Sequence, residues 1–117
     1  MPPDMKITFE DNSPQVLAKM KDNKQKALTA LGHAIVEVTL DYMTHKYYKD
    51  IHLTGDLKRD VNFRIDPSKD ELRIGNSLNY AIDVHEGTAR MRARPYLRDA
   101  IMDNKKIWEE VLSENLK

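Results

Sequence analysis

Val61-Asn62-Phe63-Arg64-Ile65-Asp66-Pro67-Ser68-Lys69-Asp70-Glu71-Leu72-Arg73-Ile74-Gly75 is the stretch whose reading decides the fold. Val61, Phe63 and Ile65 alternate with Asn62, Arg64 and Asp66, the two-residue period of a strand with one buried face. Asp66-Pro67-Ser68-Lys69-Asp70 has the chemistry of a turn. Proline presets its backbone angle there, and the short side chains of aspartate and serine bond to nearby amides. Leu72 and Ile74 resume the alternation, so the economical reading is a β-hairpin that ends at Gly75-Asn76.

Downstream, Tyr80, Ile82 and Val84 alternate with Ala81, Asp83 and His85, which predicts a third strand completing an antiparallel meander and stopped at Gly87. From Pro95 onward Leu97, Ala100, Ile101, Ile107, Trp108, Val111 and Leu112 recur at helical spacing. They predict a C-terminal helix with proline at its tolerated first position and Trp108 as its largest apolar group. Upstream, His52-Leu53-Thr54-Gly55-Asp56 reads as a turn.

Before that turn, Leu17, Met20, Leu28, Leu31, Ile35, Val38, Tyr42 and His45 step by threes and fours, broken only at Lys24. Asp11-Asn12-Ser13-Pro14 offers a turn and cap. A helix is therefore predicted from near Ser13 to about Tyr48, on the order of 50 Å at the α-helical rise. That length leaves two options: a break near Asp22-Asn23-Lys24, or a helix that projects against another subunit. Gly32 lowers its propensity while allowing another backbone to approach. Ile7-Thr8-Phe9 could supply a short leading strand. The expected fold is α+β: a long N-terminal helix and a C-terminal helix packed on an antiparallel sheet of three to four strands, as a single domain over residues 1–117.

The 117 residues can bury about two-thirds of their unfolded surface, enough for a modest core. Nineteen basic and nineteen acidic residues cancel, so attraction to nucleic acid or an anionic membrane must come from a local patch. No cysteine is present, which excludes disulfides and thiolate metal sites. No basic-then-apolar leader and no stretch long enough to span a bilayer is found, so the chain reads as soluble and without a signal peptide.

His33, His45, His52 and His85 lack paired ligand spacing, and no metal site is expected. Ser13, Ser68, Ser77 and Ser113 lie in cap, turn or tail contexts without a nucleophile elbow. Gly32, Gly55, Gly75 and Gly87 are too far apart to form a phosphate loop. The sequence therefore points to no catalytic residue, no cofactor and no enzyme.

What remains is Tyr80 to Ala100, where Arg90, Arg92, Arg94 and Arg98 have no acidic neighbour until Asp99. Guanidinium groups bind carboxylates and phosphates in bidentate fashion and are enriched at interfaces. Three readings of this loop stay open: a solvated surface loop, a subunit contact pairing with acidic residues such as Glu86 or Asp83 of a neighbour, or a contact to DNA phosphates, for which Tyr96 is the only stacking platform.

Tyr80-Ala81, then Val84-His85-Glu86-Gly87-Thr88, then Ala93-Arg94-Pro95-Tyr96-Leu97-Arg98 and Ala100 resemble the signature of the small neck or tail-completion proteins of tailed bacteriophages, often described as minor tail components. Thr54-Gly55-Asp56-Leu57 is similar to that family's Thr-Gly-x-Leu element. The likeness spans Leu53 to Met102. His85-Glu86 stands where an acidic-aromatic pair is commoner, Asp60 where a serine is often seen, and Asp99 where proline is frequent.

The resemblance implies a non-enzymatic structural virion protein, assembled in the host cytoplasm as a homo-oligomeric ring around the DNA channel between portal and tail. Its expected partners are the portal, adaptor or head-closure protein and tail proteins, with non-specific passage of DNA and no membrane. His85, Glu86, Gly87, Thr88, Arg90, Arg92, Arg94, Pro95, Tyr96 and Arg98 would form or shape its subunit, portal or tail contacts. A ring needs two different complementary patches on one subunit, and the arginine loop and an over-long helix are candidates. The alternatives are a tail terminator protein, or a small nucleic-acid-binding module using the Arg90–Arg98 loop.

Overall fold

The computed structural model describes residues 5–9, 15–20, 25–46, 55–78, 80–89 and 92–115. Its hairpin is the expected one: β3 (Asn62–Asp66) pairs antiparallel with β4 (Glu71–Gly75), with Phe63 opposite Ile74 and Ile65 opposite Leu72. The turn is built by Asp66. Its carbonyl accepts the Lys69 amide at 3.2 Å, and its carboxylate accepts the Ser68 amide at 3.0 Å and hydroxyl at 2.6 Å. Asp70 then takes a positive φ of 50°, a conformation that aspartate tolerates better than most side chains.

Two further strands complete an antiparallel sheet in the order β1-β2-β4-β3: β1 (Met5–Phe9) and β2 (Gln15–Met20). The leading strand was expected. The second was not, because Gln15–Met20 fell within the predicted helix. Val16 and Ala18 are fully buried, and they pair in register with Ile74 and Leu72, so β2 extends the inner face and satisfies the free edge of β4. A six-residue segment with four apolar residues fits either period, and the available edge decides it. The predicted start near Ser13 and break at Asp22-Asn23-Lys24 fall outside the described residues.

The long helix is thus real but neither N-terminal nor as long as predicted. Helix α1 (Gln25–Asp41) carries Leu28, Leu31 and Ile35 of the predicted stripe into the core and runs on into one π-helical turn, Tyr42–Lys46. Gly32 is where it meets the sheet: a Cβ there would lie 2.5 Å from the Phe63 ring, so the approach the sequence allowed is made by a ring edge, not by a backbone. His33 stacks edge-on against the same ring, with centroids 4.8 Å apart.

Gly55–Asp60, half-read as a turn, is helix α2. Ala81–Glu86, read as the third strand, is helix α3, with Ala81, Val84 and His85 buried at helical spacing. The predicted C-terminal helix is two helices, α4 (Tyr96–Met102) and α5 (Lys105–Asn115). Asp103-Asn104 makes the elbow: the Asn104 side chain donates to the Ala100 carbonyl at 2.7 Å and to the Tyr42 hydroxyl at 3.1 Å, replacing the helix's own bonding. Trp108 Nε1 donates to the Ile101 carbonyl at 2.8 Å, locking the elbow from inside.

The core lies between the inner sheet face and the helices, with Leu28, Leu31, Ile35, Leu57, Leu72, Ile74, Leu97, Ile101, Trp108 and Leu112 at its centre. The outer sheet face, bearing Leu17, Arg64 and Arg73, turns away from α1. The architecture is α+β, as the sequence indicated.

Candidate assembly interface

The segment after the hairpin is organised by a residue far from it in sequence. Asp60, at the end of α2, accepts the Ser77 amide at 2.5 Å, the Ser77 hydroxyl at 2.6 Å and the Leu78 amide at 2.9 Å. Partial burial pushes its carboxyl up, but these three donors outweigh burial and its pKa is lowered. The chain leaving β4 is thereby turned into α3. There the Val84 amide bonds to the Tyr80 carbonyl at 3.1 Å, and the Gly87 amide to the Asp83 carbonyl at 2.8 Å. Gly87 ends the helix at φ 82°, ψ 166°, a region essentially reserved for glycine.

The returning chain is tied back at once, the Arg94 amide donating to the Val84 carbonyl at 2.9 Å. Pro95, with φ −77°, stands immediately before α4, one position ahead of the first helical place the sequence suggested. Tyr96 follows, fully buried, its hydroxyl donating to Asn76 Oδ1 at 2.6 Å while Asn76 Nδ2 donates to the Leu57 carbonyl at 3.2 Å. Burial, reinforced by the Asp60 charge, raises the Tyr96 pKa and keeps the phenol protonated as a donor. A buried polar relay of this kind holds α2, the end of β4 and α4 in one arrangement.

His85 is fully buried beside Tyr96, ring centroids 5.0 Å apart and edge-on. Its Nε2 accepts the Arg98 amide at 3.3 Å, which fixes the proton on Nδ1, and Nδ1–H donates to Glu86 Oε1 at 2.9 Å. Burial lowers the His85 pKa against the opposing pull of Glu86. Glu86 in turn holds the Arg98 guanidinium in a fork, at 2.7 Å through Nη2 and 3.2 Å through Nη1. Its own carboxyl is pushed up by partial burial and down more strongly by Arg98 and His85, with a lowered pKa as the result.

The residues singled out from sequence therefore divide in two. His85, Gly87, Pro95 and Tyr96 shape the scaffold, and Glu86 with Arg98 forms an ion pair within the chain, where the sequence had set Glu86 against a neighbour's arginines. Thr88 and Arg92 are exposed, and Arg94 is half-buried, its guanidinium donating to the Arg92 carbonyl. Arg90 lies outside the described residues. Asp60, Asn76 and Ser77 were missed: their roles depend on contacts 17 to 20 residues apart in sequence, and no local pattern marks them.

Comparison of the chain with protein-family models, with curated proteins and with solved structures finds no match. Among the described residues no group of three or more histidine, cysteine or carboxylate side chains could hold a metal ion, and no helix is long and apolar enough to cross a membrane.

Proposed function

We propose that this chain is a structural, non-enzymatic component of a tailed-phage head–tail connector, a neck or tail-completion protein that assembles as a ring around the DNA channel between portal and tail. The observation that carries the reading is the ordered signature Gly55-Asp56-Leu57, Tyr80-Ala81, Gly87-Thr88 and Arg94-Pro95-Tyr96-Leu97-Arg98. Its parts, separated in sequence, meet in one knot. The Leu57 carbonyl reaches Tyr96 through Asn76, and His85-Glu86 reaches Arg98 directly.

A knot of this kind supports an assembly role because it holds the following loop against a rigid base. The α3–α4 connection is pinned at Gly87 and Arg94, and exposed Thr88 and Arg92 lie between those pins. An arginine presented from an ordered base loses less side-chain entropy on binding than one on a free tail.

The test is electron microscopy and light scattering of the purified chain. Rings with an open centre are expected, and Arg92→Glu with Arg94→Glu should shift them to monomers while the circular dichroism spectrum stays unchanged. A chain that remains monomeric at every concentration, alone and with portal-bearing heads, would sink the reading.

A further inference from the structure

Of the histidines in the described residues, His85 alone is fully buried, and it stands where two helices meet. Pro95 at the cap of α4 has no side-chain group to offer, so the amides of the first turn need acceptors from elsewhere. The first bond within α4 runs from the Asp99 amide to the Pro95 carbonyl at 2.8 Å, and the Arg98 amide one residue earlier is taken by His85 Nε2 at 3.3 Å. A side chain of α3 therefore caps α4, and the acceptor is a lone pair that exists only while the ring is neutral.

The other ring nitrogen is committed as well. Nδ1–H donates to Glu86 Oε1, and the Glu86 carboxylate holds the Arg98 guanidinium through both of its oxygens. Arg98 is thus tied to α3 twice, by its amide and by its guanidinium, through the neighbouring residues His85 and Glu86. Between the two helices runs the Gly87–Arg94 connection, whose ends are fixed by the Gly87 amide on the Asp83 carbonyl and the Arg94 amide on the Val84 carbonyl. The bonds that pin the loop and the bond that caps α4 therefore arise from consecutive residues of one six-residue helix.

A proton added to His85 goes to Nε2, and an Nε2–H would meet the Arg98 N–H across 3.3 Å, two donors with no acceptor between them. Burial is the strongest influence on the ring and favours its neutral form. Glu86 on α3 and Asp99 on α4 favour the imidazolium, and Arg98 opposes it. Asp99 is itself held at 2.7 Å by Lys46 of the π-helical turn, and Tyr96, edge-on to the ring, has its hydroxyl bound to Asn76. Once α3 and α4 part, the ring reaches water and takes its proton at the ordinary value, so each pH unit below about 6.5 favours the parted state by up to about tenfold.

We infer that His85 is an acid-release latch for the arginine loop: neutral, it holds α4 to α3 through the Arg98 amide, and on taking up a proton it lets the two helices part and frees the Gly87–Arg94 connection between them. The latch is a property of the single chain. Its consequence for assembly rests on the ring reading, in which that connection presents Thr88 and Arg92 to a neighbour: rings formed at neutral pH come apart in mild acid while the sheet stays folded.

Nuclear magnetic resonance of the nitrogen-15-labelled full chain between about pH 7 and pH 5 decides the latch. At the upper value His85 should carry its proton on Nδ1, with Nε2 bare. On acidification the amides of Gly87, Arg94 and Arg98 should exchange at least about fivefold faster relative to those of β3 and β4, a ratio that cancels the intrinsic pH dependence of exchange. His85→Gln, whose amide oxygen can accept the Arg98 amide and does not titrate, should keep the ratio constant. An Nε2–H tautomer at pH 7, or loop and hairpin amides that accelerate in step, overturns the latch from the parent chain alone, even where the variant does not fold. A folded His85→Gln chain that loosens in acid as the parent does overturns it too.

Sedimentation of the same samples reads the assembly separately. Rings that dissociate between about pH 7 and pH 5 in the parent but persist in His85→Gln support both the latch and the ring. A parent that is monomeric at every pH ends the ring reading, and the amide ratios still decide the latch.

Discussion

The β3–β4 hairpin and helix α3 begin from the same kind of sequence and end as different structures. Phe63-Arg64-Ile65 and Tyr80-Ala81-Ile82-Asp83-Val84 both alternate, yet the first is a strand and the second a helix with Ala81, Val84 and His85 inside. The hairpin is settled locally: Asp66 and Pro67 build its turn, and its partner strand follows five residues later. Helix α3 is settled from a distance. Asp60 turns the chain after Asn76, and the run that follows buries Ala81, Val84 and His85 on one helical face. An alternating run becomes a strand only where another strand can satisfy its amides, and otherwise the local i→i−4 bonds of a helix are the cheaper solution.

The contrast predicts where damage should spread. Tyr96→Ala should have the largest effect, a loss of about 4 kcal/mol, because it removes a fully buried ring and leaves Asn76 Oδ1 without its donor. Hydrogen exchange should show α3 and α4 opening while β3–β4 amides stay protected; equal loss of protection in the hairpin would remove the distinction between the two regions.

Asp60→Ala comes next, at about 2 kcal/mol, since the amides of Ser77 and Leu78 lose a charged acceptor. Asp60→Asn should recover part of this by keeping one acceptor oxygen. A thermal melt of Asp60→Ala that matches the parent would mean that the turn into α3 is set locally after all. Gly87→Ala should cost about 1–2 kcal/mol in a thermal melt, because φ 82° with ψ 166° strains any side chain.

Acid should separate the regions further. The folded pKa of His85 is lowered, so its contribution is complete above the unfolded value near 6.5 and declines as pH falls through the folded one. Glu86 and Asp60 have lowered pKa values too, and their contributions, present above the ordinary carboxylate range, are lost as pH falls through their folded values. Stability should therefore fall continuously from about pH 6.5 downward. Denaturant titrations at a series of pH values should give a shallower slope between pH 6.5 and 5 for His85→Gln; an unchanged slope would assign the proton uptake elsewhere. The smallest effect belongs to the hairpin: Pro67→Ala should cost about 0.5 kcal/mol, through the greater freedom of the unfolded chain alone.

The pattern of success along the sequence follows the same division. The hairpin, the start of α4 at Pro95 and the apolar stripe of α1 were legible, because turn chemistry, proline and a sustained 3.6-residue period act over a few residues. Gln15–Met20 and Ala81–Glu86 were misread in opposite directions, each being only six residues long and compatible with both periods. In the candidate interface the arginines were visible, but the pairing of Arg98 with Glu86 of its own chain was not. The loop at Gly87 that brings them together depends on an Asp60 carboxylate contributed from α2.

By itself, then, the sequence determined the elements whose causes are local: the β3–β4 hairpin, the apolar stripe of α1 though not its bounds, the proline-started α4 and the charge neutrality that confines electrostatics to patches. The tertiary structure decided everything that needed a distant partner. It made Gln15–Met20 a strand because β4 offered an edge, and Ala81–Glu86 a helix that buries Ala81, Val84 and His85. It used His85, Glu86, Tyr96 and Arg98 as the frame of the arginine loop. Such choices lie in contacts between residues far apart in the chain, and only the folded packing brings those residues within a few ångströms of one another.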